Sequence, residues 1–169
     1  MKIIPPQMNV LKIDDTAPDF SVPSTDGGTF TLSERVRKGS VLLYFYVTDY
    51  GHTCTEYMAL MNERKAELDD LNVSLVHINP DSIENHREWI EHTDAQFEHL
   101  SDTDQTVSKT YGAIVTRAKN DKLIGYTNRE FFLVNKEMKI KYIWRAYWPT
   151  DTVPMSELMT GIRMTLVQN

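Results

Sequence analysis

The chain has 169 residues, 41% of them hydrophobic and 25% charged, which fits one soluble globular domain over residues 1–169 with a sizeable core. A formal net charge of −6 and a pI near 5.3 argue against a nucleic-acid partner. The longest apolar run, Val41 to Val47, falls far short of the ~20 residues of a bilayer span, and Met1 to Pro6 hold no apolar core of signal-peptide length, so no membrane partner is expected and the cytoplasm is the expected setting.

Residues 1–28 are rich in proline and turn-formers, and Asp26-Gly27-Gly28 is a hairpin signal ahead of a short strand, Thr29 to Leu32. Ser33-Glu34 opens a turn, and Lys38-Gly39-Ser40 leads into the apolar run at 41–47, which reads as a buried central strand. A polar turn, Thr48 to Thr53, separates that strand from a helix carrying Met58, Leu60, Met61 and Leu68. Asn72 to Asn79 reads as a second strand, and Pro80-Asp81-Ser82 starts a further helix with Ser82 as N-cap and Ile83, Trp89 and Ile90 on one face. Glu84, Glu88 and Glu91 beside Arg87 form its solvated side.

Phe97 to Ser101 is a short extended piece, and a short helix through Val107 and Tyr111 ends at Gly112. Residues 113–128 read as an irregular connection. Glu130 to Val134 and Ile140 to Arg145 flank the turn Asn135-Lys136-Glu137 and predict an antiparallel hairpin. A last amphipathic helix begins near Met155, with Leu158, Met159, Ile162 and Leu166 on its apolar face. Alternating strands and helices followed by a hairpin and a helix predict an α/β sandwich with a mixed sheet, an order that a thioredoxin-like fold has.

Cys54 is the single cysteine. It sits at a strand-to-helix junction in the first turn of a helix, where free amides and the positive end of the dipole favour a thiolate. One cysteine forms no internal disulfide, so Cys54 acts alone or with a thiol of another molecule. The competing reading is a small buried residue kept for packing. His52, two residues from the thiol, reads as a base or as a solvated loop histidine. His77, His86, His92 and His99 have no ligand spacing, so no metal site is expected.

Four stretches, in order, resemble the peroxiredoxins of the alkyl-hydroperoxide-reductase/thiol-specific-antioxidant family, nearest the bacterioferritin-comigratory (Q-type) branch. They are Ala17-Pro18-Asp19-Phe20 with Asp26-Gly27 and Leu32-Ser33; Tyr44-Phe45-Tyr46; Asn79-Pro80-Asp81-Ser82 with Leu100-Ser101-Asp102 and Tyr111-Gly112; and Arg129 through Asn135. The resemblance covers roughly residues 13 to 168. It implies a thioredoxin-like sandwich with an N-terminal hairpin extension. It also implies a thiol peroxidase in which Cys54 is the peroxidatic thiolate and Arg129 its electrostatic support, with a peroxide substrate, an external thiol reductant and no prosthetic group or metal.

The family's loop, P-x-x-x-T-x-x-C, is degenerate in this chain. Val47 stands at the proline position and Gly51 at the threonine position, Tyr57 replaces a glutamate three residues after the cysteine, and Ala59 replaces the second cysteine of the Q-type branch. Loss of one preorganised donor lowers a rate by about 10²–10³, so weakened activity is expected. The rival expectation is a non-peroxidatic thioredoxin-fold binding or redox-sensing protein. A thioredoxin-like carrier is disfavoured, because Gly51 stands where the second cysteine of a Cys-x-x-Cys pair belongs and Glu130 where that family has a proline. The aromatic strip Trp144, Arg145, Tyr147 and Trp148 reads as core plus hairpin surface, with a homodimer contact or a substrate wall as the alternatives.

Overall fold

In the computed structural model, which describes residues 2–3 and 10–168, five strands form one mixed sheet in the order β6-β5-β4-β8-β9. The strands are β4 (Ser40–Phe45), β5 (Val73–Asn79), β6 (Glu98–Ser101), β8 (Glu130–Val134) and β9 (Ile140–Arg145). β4, β5 and β6 run parallel, as their helical crossovers require, while β8 is antiparallel to β4 and to β9. Two small two-stranded sheets complete the set: β1 (Lys2–Ile3) with β7 (Arg117–Ala118), and β2 (Ser21–Pro23) with β3 (Thr29–Thr31).

The alternation of side chains along β4 divides the core. Leu42, Tyr44 and Tyr46 join a cluster with Cys54, Met58 and Met61 of α2 (His52–Asn62), Trp89 of α4 (Ile83–Thr93), and Leu158, Met159 and Ile162 of α6 (Met155–Val167). Val41, Leu43 and Phe45 point the other way, to Phe30, Leu32, Val107 and Tyr111. Between α2 and β5 lies a short helix, α3 (Lys65–Asp70).

The predicted order holds with local differences. Leu32–Arg35 forms a one-turn helix, α1, where a turn was expected. Residues 113–128 are more ordered than their composition suggests: they contain β7, which pairs with the distant β1, and a 3₁₀ turn at Asp121–Leu123. A short helix, α5 (Thr106–Thr110), precedes Gly112, whose φ of 69° lies in the left-handed region favoured by glycine. Ser82 caps α4 by accepting from the Asn85 amide at 3.2 Å. Among the described residues no helix is long and apolar enough to cross a membrane, and no cluster of His, Cys, Asp or Glu is arranged to hold a metal ion.

Candidate active site at Cys54

Cys54 is the third residue of α2, behind the N-cap Gly51, which makes no side-chain cap bond. Its own amide is engaged, donating to the Gly51 carbonyl at 2.9 Å. The side chain is 8% exposed and packs in the cluster of Tyr44, Tyr46, Tyr57 and Met58. A β-carbon at position 51 would lie 3.3 Å from Cys54 Sγ and 3.7 Å from Thr48 Cγ2. The sulfur therefore occupies the space next to the missing threonine side chain. Burial pushes the Cys54 thiol above its ordinary pKa; Arg129 and a hydrogen bond from the Thr48 backbone pull it down, Asp49 pushes it up, and the upward shift prevails. The helix terminus expected to favour the thiolate does not overcome desolvation in the resting site.

Arg129, immediately before β8, reaches the same place. It is 3% exposed, and its Nη1 donates to the Asp151 carbonyl at 2.7 Å. Its guanidinium carbon stands 4.7 Å from the centroid of the Tyr57 ring. The Tyr57 hydroxyl accepts from the Val153 amide at 3.1 Å, so arginine and tyrosine both hold the 151–153 segment. Tyr57 thus packs against the arginine from the position where the family has a carboxylate. Glu56 beside it is exposed, as is Ala59. The side chains of His52 and Thr53 lie outside the described residues.

Val47 gives the turn before Cys54 no ring constraint, and a buried polar network anchors the turn instead. Asp81 Oδ2 accepts from the Asp49 amide at 2.7 Å and from Thr48 Oγ1 at 3.0 Å. The Asp49 carboxylate, fully buried, accepts from Asn79 Nδ2 at 3.0 Å and from the Tyr46 hydroxyl, and meets His86 Nδ1 at 2.6 Å. The other ring nitrogen of His86 faces the Leu100 carbonyl at 3.2 Å. Burial alone would raise Asp49, but the bond to His86, the charge of His86 and the Tyr46 hydroxyl outweigh it and lower its pKa. Asn79, Asp81 and His86 were not singled out for the site from the sequence; Asn79 and Asp81 stood in a stretch that carried the resemblance, without a role.

Three histidines without ligand spacing also converge. The rings of His77 and His99 stack with centroids 4.6 Å apart, and His86 lies 5.3 Å from His99. The aromatic strip divides as expected: Trp144 packs against Phe131 with centroids 6.1 Å apart, while Tyr147 is 60% exposed beneath the Arg117 guanidinium.

Comparison with protein families matches the AhpC/TSA family over residues 13–143. The chain belongs to the AhpC/TSA family. Membership carries the thiol-peroxidase function expected from the sequence, with a peroxide as substrate and a thiol as reductant, and one cysteine fits a single-cysteine mechanism. Among AhpC/TSA-type relatives, the chain is 28% identical to the bcp peroxiredoxin of Coxiella burnetii, over 79% of this chain and 88% of that one. It is 32% identical to a peroxiredoxin of Thermoplasma volcanium, over 80% of this chain and 65% of that one. In fold it is similar to peroxidoxin BcpB of Mycobacterium tuberculosis, with a TM-score of 0.77 at 21% identity, covering 91% of this chain and 97% of that one.

Proposed function

We propose that Cys54 is the peroxidatic thiol of a one-cysteine peroxidase and that Arg129 is its electrostatic support. The observation that carries this reading is the buried guanidinium of Arg129, which acts on the Cys54 thiol as its chief opposing charge against burial. The Cys54 thiolate attacks one oxygen of ROOH; the S–O bond forms as the O–O bond breaks, giving Cys54–SOH and RO⁻, which takes a proton to leave as ROH. The sulfur is oxidised by two electrons and the peroxide is reduced. An external thiol then condenses with the sulfenic acid, releasing water, and a second thiol frees Cys54 from the mixed disulfide.

Activity below that of a peroxidase with the full loop is part of the same reading, supported by the net upward push on the thiol and by the missing hydroxyl at Gly51. A cytoplasmic setting, which supplies reducing thiols, and a homodimer formed through the exposed Tyr147 complete it. The test is the rate of sulfenic acid formation at Cys54, followed by trapping and mass spectrometry against pH. A second-order rate above that of a free thiol, abolished by Cys54→Ser, is expected. A rate no faster than a free thiol's would leave the non-peroxidatic binding or redox-sensing reading in its place.

A further inference from the structure

Two polar atoms beside Cys54, the Tyr44 hydroxyl and Arg129 Nε, lack a well-formed hydrogen bond among the described residues. Tyr44 is 2% exposed and Arg129 3% exposed; the Arg129 guanidinium faces the Tyr44 oxygen, but the hydroxyl proton has no acceptor and Arg129 Nε no acceptor among the described residues. A buried hydroxyl without an acceptor is destabilising and rare. Tyr44 also has little freedom to turn away. It lies in a row that crosses the sheet in register: Trp144, Phe131, Tyr44, His77 and His99 stand opposite one another on β9, β8, β4, β5 and β6. The Phe131 ring stacks on Tyr44 with centroids 4.4 Å apart, His77 meets it edge-on at 5.2 Å, and Tyr46 stacks at 5.1 Å. A ring held on three sides delivers its hydroxyl to one place, and that place has Arg129, Cys54 and Tyr57 as its charged and titratable neighbours.

We propose that the Tyr44 hydroxyl is a hydrogen-bond donor to the reacting oxygen at Cys54, acting beside Arg129 Nε in the role left open by Gly51. The inference rests on the peroxidase reading. In this role Tyr44 donates a hydrogen bond and keeps its proton. As Cys54 Sγ bonds to the near oxygen and the O–O bond breaks, negative charge gathers on the oxygens, and donors already in place stabilise it without reorganising. Burial, the largest influence on Tyr44, pushes its pKa far above the ordinary phenol value against the opposing charge of Arg129, which keeps the hydroxyl a donor at any working pH. The row also explains how a donor on a strand can replace one on a loop: its position is fixed by the sheet and does not depend on the turn that lost its proline.

Tyr44→Phe tests this, because it keeps the ring and its stacking and removes only the hydroxyl. The variant and the unaltered protein are compared in three measurements: peroxide-driven sulfenic acid formation at Cys54, alkylation of Cys54 by iodoacetamide as a function of pH, and thermal unfolding. A peroxide rate lower by roughly 100-fold is expected, with the plateau alkylation rate within about twofold and an unchanged or higher Tm. Alkylation involves no charged oxygen, so a merely structural effect on the sulfur would slow both reactions together. Equal slowing of both, or a peroxide rate within twofold of the unaltered protein, overturns the role of Tyr44. A slow peroxide reaction in the unaltered protein itself, no faster than a free thiol's, overturns the peroxidase reading and this inference with it.

Discussion

The carboxylate of Asp49 meets His86 Nδ1 at 2.6 Å, with both side chains fully buried, and this pair ties the turn before Cys54 to α4. The same carboxylate accepts from Tyr46 and Asn79. Removing it leaves three buried polar groups short of a partner. Asp49→Ala is expected to lower stability by about 3–5 kcal/mol, measured by urea unfolding at neutral pH. Among molecules still folded, the peroxide reaction of Cys54 is expected to slow, since the Thr48 backbone that bonds the sulfur belongs to the released turn.

The pH dependence of stability follows from three buried groups. His77 is held well below its ordinary pKa by burial and by the charges of His99 and His86, and His99 is brought down to about 4 by burial and by His86. Glu130 is pushed up to about 7 by burial, against the pull of Arg145 at 3.1 Å and of Asn128. Between roughly pH 4.5 and 6.5 the unfolded chain takes up protons at both histidines, while the native state holds one extra proton on Glu130. The unfolded state binds one more proton overall, so stability falls on acidification by about 1.4 kcal/mol per pH unit. Glu130→Gln removes the opposing proton and should steepen the fall to about 2.7 kcal/mol per unit. Urea unfolding at several pH values across that window checks both slopes; a stability that rises on acidification would contradict the assignment.

The hairpin of β8 and β9 was legible residue for residue, because alternation and a turn signal are local properties of the sequence. The places of two residues along the chain were legible in the same way: Cys54 follows a strand and Arg129 immediately precedes one. The network that fixes the turn was not legible. Asn79 and His86 lie 30 and 37 residues from Asp49, and nothing in their spacing announces the contact. They meet it because β5 runs parallel to β4 and carries α4 back over the same face. The stacking of His77 on His99 has the same origin, as the two residues are opposite each other on β5 and β6. The helix at Leu32–Arg35 escaped notice for the opposite reason: one turn is too short to show a period.

Gly51 offers a direct test of the missing hydroxyl. Its φ of −68° and ψ of 135° suit any residue at an N-cap, so no backbone strain opposes a side chain there. A threonine β-carbon would crowd Cys54 Sγ at 3.3 Å, which the sulfur relieves by moving a few tenths of an ångström. Gly51→Thr is expected to raise the peroxide rate of Cys54 at least about tenfold by adding a donor. A capping bond should leave helix stability equal or higher by a few tenths of a kcal/mol. Stopped-flow oxidation and thermal unfolding of the variant measure the two effects separately.

Arg129 is held by its carbonyl bond to Asp151 and by the face of Tyr57, and each hold predicts a different outcome. Lysine keeps the positive charge but loses the planar group that stacks on the ring while donating sideways to the carbonyl. Arg129→Lys is therefore expected to cut the peroxide rate by about 10²-fold and to shift the alkylation profile of Cys54 to higher pH, because the charge that lowers the thiol pKa is no longer fixed in place. Tyr57→Phe keeps the ring beneath the guanidinium and removes only the acceptor of the Val153 amide. It should cost about 1–3 kcal/mol of stability while the alkylation profile stays where it was. If Tyr57→Phe moved that profile as far as Arg129→Lys does, the hydroxyl rather than the ring would be what holds the arginine at the sulfur.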